Sequence, residues 1–281
     1  MQTKKRDHMK FNNYNVLFIV LVSLQLLSLP ARALQVGVVG IAAGTATSTE
    51  DFNYDHYNQI KLQKSDVNLL LIQTVQSQFP LPAEKYDRKK HFAGWIHFAD
   101  SNSCLDTRGL VLQRDSASNI TTSPNCVVIG GDWHDPYTDN TFTSSKDIQI
   151  DHVVPLKHAY MTGAFEWDRK KRCQYANNLS NNFHLLSVNG TENMRKGDRS
   201  PLEYIPPNQK FTCEYLKVWL EIKYLWNLRM TPRESDKIHE LIQTEHCDTK
   251  DFVIPEREIA SQVKYIKDYE NICVGAALTS F

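Results

Sequence analysis

The chain has 281 residues, 23% of them charged and 41% hydrophobic. That suffices for one large domain or a domain with appendages, and it excludes a disordered, collagen-like or polytopic membrane protein. Lysine plus arginine and aspartate plus glutamate both number 32, but residues 1–33 hold five basic side chains and one acidic, which leaves 27 against 31 beyond them, a net of −4. At that charge, any contact with nucleic acid has to come from a local patch and not from bulk attraction.

Lys4, Lys5, Arg6 and Lys10 precede an apolar run from Val16 to Leu29, and Pro30-Ala31-Arg32-Ala33 places small residues where a signal peptidase needs them. The order is that of a secretory signal peptide over residues 1–33, cut after Ala33, and the run is too short for the roughly 20 residues of a membrane span. Residues 34–83 are expected to be a leader and a helical extension. Ile60, Val67, Leu70, Leu71 and Val75 suggest a helix over 54–78, ended by Pro80 and Pro82. Residues 92–150 carry β-prone runs at Leu110–Leu112, Cys126–Ile129 and Ile148–Ile150 between Gly, Asn, Asp and Pro turns.

Asn181–Val188 reads as a strand, Asn189-Gly190 as a turn and Thr191–Asp198 as a capped helical turn. Apolar positions three and four apart predict a helix from Glu214 to Leu228, and Thr231-Pro232 opens another to about residue 246. Residues 229–281 form a C-terminal extension. The fold class is α+β, strands in the middle and helices around them. Six cysteines in a secreted chain imply three disulfides, and the fifteen possible connectivities stay open; sequential pairs, 104–126, 173–213 and 247–273, are preferred. Asn119, Asn178 and Asn189 begin glycosylation sequons.

The chemistry concentrates between residues 147 and 198. In Asp147-Ile148-Gln149-Ile150-Asp151-His152, the alternation places Gln149 and Asp151 on one strand face, and His152 follows directly. A carboxylate beside an imidazole at a strand end suits a metal ligand next to a general base, although a surface Asp-His pair at a turn has the same sequence.

Together with the strand and helical turn at 181–198, this unit resembles the ββα-metal finger of the HNH (His-Me finger) nucleases, in particular secreted members with DIDHVVPL and NRSKGD motifs. Those motifs stand here as Gln149–Leu156 and Asn193–Asp198. Further likenesses are Tyr86-Asp87-Arg88 with Phe92 and Trp95, Cys104-Leu105-Asp106-Thr107-Arg108, Gly130 to Tyr137, and Cys213-Glu214-Tyr215 with Trp219 and Trp226. The similarity covers about residues 84–228, expected to be the nuclease domain.

The resemblance implies that His152 is the general base and that Asp151 and Asn193 are the protein ligands of one divalent cation, Mg²⁺ or Mn²⁺. Gln149 stands where many members have Asp, and His184 where the middle Asn often falls. Asn182 is the alternative for that role. Lys196 and Arg195 are candidate phosphate contacts, and Arg108 could clamp a phosphate or a carboxylate. The basic run Arg169–Arg172 is as readily a solvated helix end, and the five tryptophans are expected to pack cores. The substrate implied is DNA, and RNA as a further one, cleaved with little sequence preference. The rival reading is a secreted disulfide-bonded binding protein whose finger is inactive. A peptidase lacks support, since neither HExxH nor GxSxG occurs.

Overall fold

Short polar caps followed by apolar faces start most of the helices. The computed structural model describes residues 66–71, 80–98 and 103–274; the expected signal peptide and most of the leader lie outside them. Within the helix expected over 54–78, the described part is a two-residue strand β1 (Val67–Asn68) and a 3₁₀ turn at Leu69–Leu71. Asp87 caps α1 (Arg88–Phe92) and Asp106 caps α2 (Thr107–Asp115), each side chain accepting a main-chain N–H three residues on.

The strand expected at Leu110–Leu112 is therefore helical. The Asp106 cap starts the helix, and Val111 and Leu112 turn inward onto a core shared with Trp95, Val128, Trp133, Ile148 and Ile150. Here burial on a helical face outweighs β-propensity.

Among the described residues the strands form three small antiparallel sheets. β2 (Thr121–Thr122), β3 (Val128–Asp135) and β4 (Asn140–Ser144) form one. Gly131 in β3 is obligatory for packing, because a Cβ there would lie 2.6 Å from the Trp133 ring. β5 (Ile148–His152) pairs with β6 (Leu185–Asn189) over five residues, from Ile148 opposite Asn189 to His152 opposite Leu185. Between them run α3 (Leu156–Met161) and α4 (Arg169–Ala176). α5 (Gly190–Lys196) starts where β6 ends: Asn189, expected in a turn, caps it by accepting the Glu192 N–H at 3.0 Å. Gly197, at φ 58°, stops it.

α6 (Thr212–Leu225) and α7 (Pro232–Thr244) fall where periodicity places them, α7 with a Thr231 cap and Pro at its first position. β7 (Val253–Ile254) pairs with β1, and α8 (Glu256–Asp268) closes the order. One buried apolar cluster runs from Leu69 through α6 to Ile238, Phe252, Ile259 and Ile266. Segments 66–71 and 229–268 thus pack into the same core as 84–228. Among the described residues no helix is long and apolar enough to cross a membrane.

Cys104 pairs with Cys126 as expected, but the other two bridges are Cys213–Cys247 and Cys173–Cys273. The correction follows from helix packing. Cys213 begins α6 and Cys247 follows the end of α7, and α6 packs against α7. Cys273, shortly after α8, meets Cys173 on α4. Of the three sequons, Asn119 is exposed, whereas Asn178 is buried and Asn189 is engaged as a helix cap.

Candidate active site at the β5–β6–α5 unit

β5, β6 and α5 set the site. Ile148 and Ile150 face the core under α2, which turns Gln149 and Asp151 toward α5. The shared face expected from alternation is what both residues use, each for a different partner.

Asp151 is 4% exposed, and both its oxygens are taken. Lys196 Nζ, fully buried, donates to Oδ1 at 2.8 Å and to the His152 carbonyl at 3.0 Å. Tyr137 OH donates to Oδ2 at 2.5 Å. The tyrosine is aimed by its own turn: Asp135 accepts from the Tyr137 N–H at 3.0 Å and from Thr138 Oγ1 at 2.6 Å. Burial raises the Asp151 carboxyl and lowers the Lys196 ammonium, and their contact opposes both shifts. Removing either side chain alone would leave the other buried without its partner.

Lys196, expected to meet a phosphate, is therefore a buried counter-ion. Its four-carbon stem reaches back under β5 because α5 lies directly against that strand.

Asn193 is half-buried on α5, and its Nδ2 donates to Gln149 Oε1 at 2.9 Å. The neutral Gln149 thus supplies the acceptor that an Asp would supply, and it leaves the Asn193 amide oxygen turned away from that contact. As a donor set for a hard cation, Asn193 fits: a neutral oxygen, held by an outer partner, on a half-buried helix position. Asp151 does not fit as arranged, since an ammonium already sits on one oxygen and a phenol on the other. Among the described residues no group of three or more His, Cys, Asp or Glu side chains could hold a metal ion.

His152 ends β5 and is buried, with Nε2 2.9 Å from the Ala176 carbonyl. A carbonyl only accepts, so Nε2 carries the proton and Nδ1 the lone pair. Trp95 lies parallel to the imidazole, centroids 5.4 Å apart and planes 3° apart. Burial first, then the positive charge of Arg88 and the neighbouring His184, hold the imidazole well below its usual range, so it is neutral at neutral pH. A neutral imidazole with a fixed tautomer is a proton acceptor.

His184 is buried as well. Its Nε2 donates to the Tyr175 carbonyl at 2.8 Å, and burial lowers it to about 4. Asn182 is exposed. The loop is tied instead by Asn181, whose Oδ1 accepts the Phe183 and His184 N–H groups at 3.2 and 2.7 Å. Arg108 is spent on the Ser145 and Ile148 carbonyls at 3.2 and 3.3 Å, bracing the start of β5. Arg195 is exposed and pairs with Glu192 at 2.9 Å. In the basic run, Arg172 donates to the His91, Ala164, Phe165 and Trp167 carbonyls, and Lys171 lies over the Trp167 ring. Arg169 and Lys170 alone are exposed.

The residues missed by sequence reasoning are Tyr137, Arg88, Trp95 and Asn181 as parts of the site, and the Ala176 carbonyl. The first three sit inside motifs that the resemblance marks, so a signal existed without a role. A carbonyl oxygen leaves no mark in a sequence.

Residues 110–241 match the family described as GmrSD restriction endonucleases, C-terminal domain. An Arthroderma benhamiae protein named "Uncharacterized secreted protein" is 36% identical over 163 residues, covering 58% of this chain and 77% of that protein. No solved structure matches.

Proposed function

Because the chain belongs to the HNH-type family of the GmrSD restriction endonuclease C-terminal domain, we propose that it is a secreted, metal-dependent endonuclease that hydrolyses phosphodiester bonds of DNA, and of RNA as a further substrate. The observation that carries this reading is His152, whose protonated Nε2 is pinned on the Ala176 carbonyl and whose Nδ1 is left as the base. The antiparallel β5–β6 pair, with β6 running straight into α5, is read as the ββα finger of that family.

In this reading His152 Nδ1 takes a proton from water as the water oxygen bonds to phosphorus and the bond to the 3′ oxygen breaks. A base so placed contributes about 10²–10⁴ in rate. Asn193, oriented by Gln149, would offer a neutral oxygen to one Mg²⁺ or Mn²⁺, and Asp151 would join it as the charged ligand only by giving up its bond to Lys196 or Tyr137. When bound, that ion supplies positive charge to the phosphate and the leaving oxygen. Asp151 and Lys196 form the charged floor beneath the base, and Trp95 covers the imidazole face. Arg195 remains the exposed basic contact on α5, beside Asn193. Residues 1–33 act as the signal peptide, in keeping with three disulfides and a secreted relative.

A binding protein with an inactive finger is the second reading, favoured by one observation: Lys196 occupies the carboxylate expected to hold the metal. Incubating plasmid DNA and a single-stranded RNA with the protein in Mg²⁺, Mn²⁺ or EDTA, beside Asn193→Ala, separates the two. The nuclease cuts with metal, stops in EDTA and loses most of its rate in the variant. Intact substrate under every condition supports the binding protein.

A further inference from the structure

The C-terminal segment after the family match has so far only a packing role. Two of its contacts meet on one short helix, α4. α4 ends in two carbonyls, Tyr175 and Ala176, and each accepts from a site imidazole, His184 at 2.8 Å and His152 at 2.9 Å. The position of this helix end therefore sets the plane and tautomer of the base.

Three attachments fix that end. Cys173 is bridged to Cys273, beyond α8. Gln174, buried, donates from Nε2 to the Ile266 carbonyl within α8. Asn177, also buried, accepts from Thr107 Oγ1 at 2.6 Å and from the Ile96 N–H at 3.2 Å, and donates to the Gly94 carbonyl at 3.2 Å. The last set holds the segment that carries Trp95 against His152. α8 also reaches the other histidine's loop, because Gln262 accepts from Asn181 Nδ2 at 2.7 Å while its own Nε2 donates to Glu221 at 2.8 Å.

We infer that residues 256–273 are a positioning brace for the catalytic base, acting through Cys173–Cys273 and Gln174–Ile266 on the Ala176 carbonyl that orients His152. The inference rests on the nuclease reading for its rate effect, but not for its effect on the imidazole. Cys173, Gln174 and Asn177 are positioning residues, since none of them touches the reacting atoms. A misplacement of the base by a fraction of an ångström to an ångström is enough to cost one to two orders of magnitude in rate.

The test uses the full oxidised chain with Cys173→Ser/Cys273→Ser, which keeps the other two bridges, and separately Gln174→Met, which keeps all three. Three quantities are read: kcat and KM for plasmid nicking, Mn²⁺ affinity, and the ¹⁵N signals of the His152 ring. The brace predicts kcat down about tenfold in each variant, KM and Mn²⁺ affinity within twofold, and a ring no longer held in the single Nε2–H tautomer. Wild-type kcat in the folded variants overturns it, as does a loss of kcat matched by equal losses in Mn²⁺ affinity and folded fraction. If the double-serine variant does not fold, Gln174→Met decides by the same criteria. If the wild type itself cuts nothing, the nuclease reading fails, while the ring signals still report whether the brace holds His152.

Discussion

Lys196 is the residue whose environment most changes its meaning. In sequence it is one of several basic side chains beside a candidate ligand. In three dimensions its ammonium is fully buried and bonded to Asp151, 45 positions earlier. Replacing it with the similarly long Met keeps the stem packed but leaves the Asp151 charge buried with only Tyr137. Denaturant unfolding is expected to show Lys196→Met about 3–5 kcal/mol less stable than wild type; a loss below about 1 kcal/mol would mean the pair is not the buried ion pair described. The motifs single out His152 and Asn193, and the structure places both in the β5–β6–α5 unit. The buried pairing of Lys196 was not legible, because burial of a charge is decided by a partner far away in the chain. The loop tie falls on Asn181 for a related reason: Asn181, Asn182 and His184 all suit one in sequence, and only the N–H groups of residues 183 and 184 select Asn181.

At the scale of elements, α5 is the piece on which the site depends, and it is short. Its start is fixed by Asn189, its end by Gly197, and its inner face by Gln149 and Asp151 of β5. Gln149 packs over Gly190, where a Cβ would come within 3.3 Å of its side chain. The amide contact from Asn193 to Gln149 yields a graded expectation. Gln149→Asp retains an acceptor and should bind Mn²⁺ nearly as wild type, whereas Gln149→Leu removes it and should weaken binding about 10–100-fold, as loss of an outer partner does. Isothermal titration with Mn²⁺ measures both, and equal affinity in the Leu variant would dissociate Gln149 from the cation. Elements with a strong period, α6, α7 and β5, were readable in advance, α7 also through its Thr231 cap. α2 was not, since its apolar triplet Leu110–Leu112 carries no period of its own and only the Asp106 cap distinguishes it from a strand.

For the molecule as a whole, the segments flanking the finger complete one core and one set of bridges. Two of the three disulfides escaped the sequential guess because loop closure along the chain says little about which helices end up adjacent. A buried carboxyl in this common core gives the fold a pH dependence. Glu221 on α6 accepts from Gln262 of α8 at 2.8 Å, and burial raises it to about 7 from a usual 4.5. The unfolded chain ionises this group first as pH rises, so its contribution to stability is intact below about 4.5 and is lost as pH passes through about 7. Glu221→Gln keeps an acceptor for Gln262 without the charge. Its melting temperature should exceed that of the wild type at pH 8, by the equivalent of up to about 3 kcal/mol, and converge with it at pH 4. An equal gap at both pH values would remove Glu221 as the cause.

In the proposed reaction His152 is the base of a metal-dependent cut. The direct measurement is nicking of supercoiled plasmid by the oxidised protein in Mg²⁺ or Mn²⁺, wild type beside His152→Ala. The expected result is metal-dependent relaxation by the wild type and a rate lower by about 10²–10⁴ in the variant. Cutting by His152→Ala at the wild-type rate, or intact plasmid from the wild type with either ion, would contradict it.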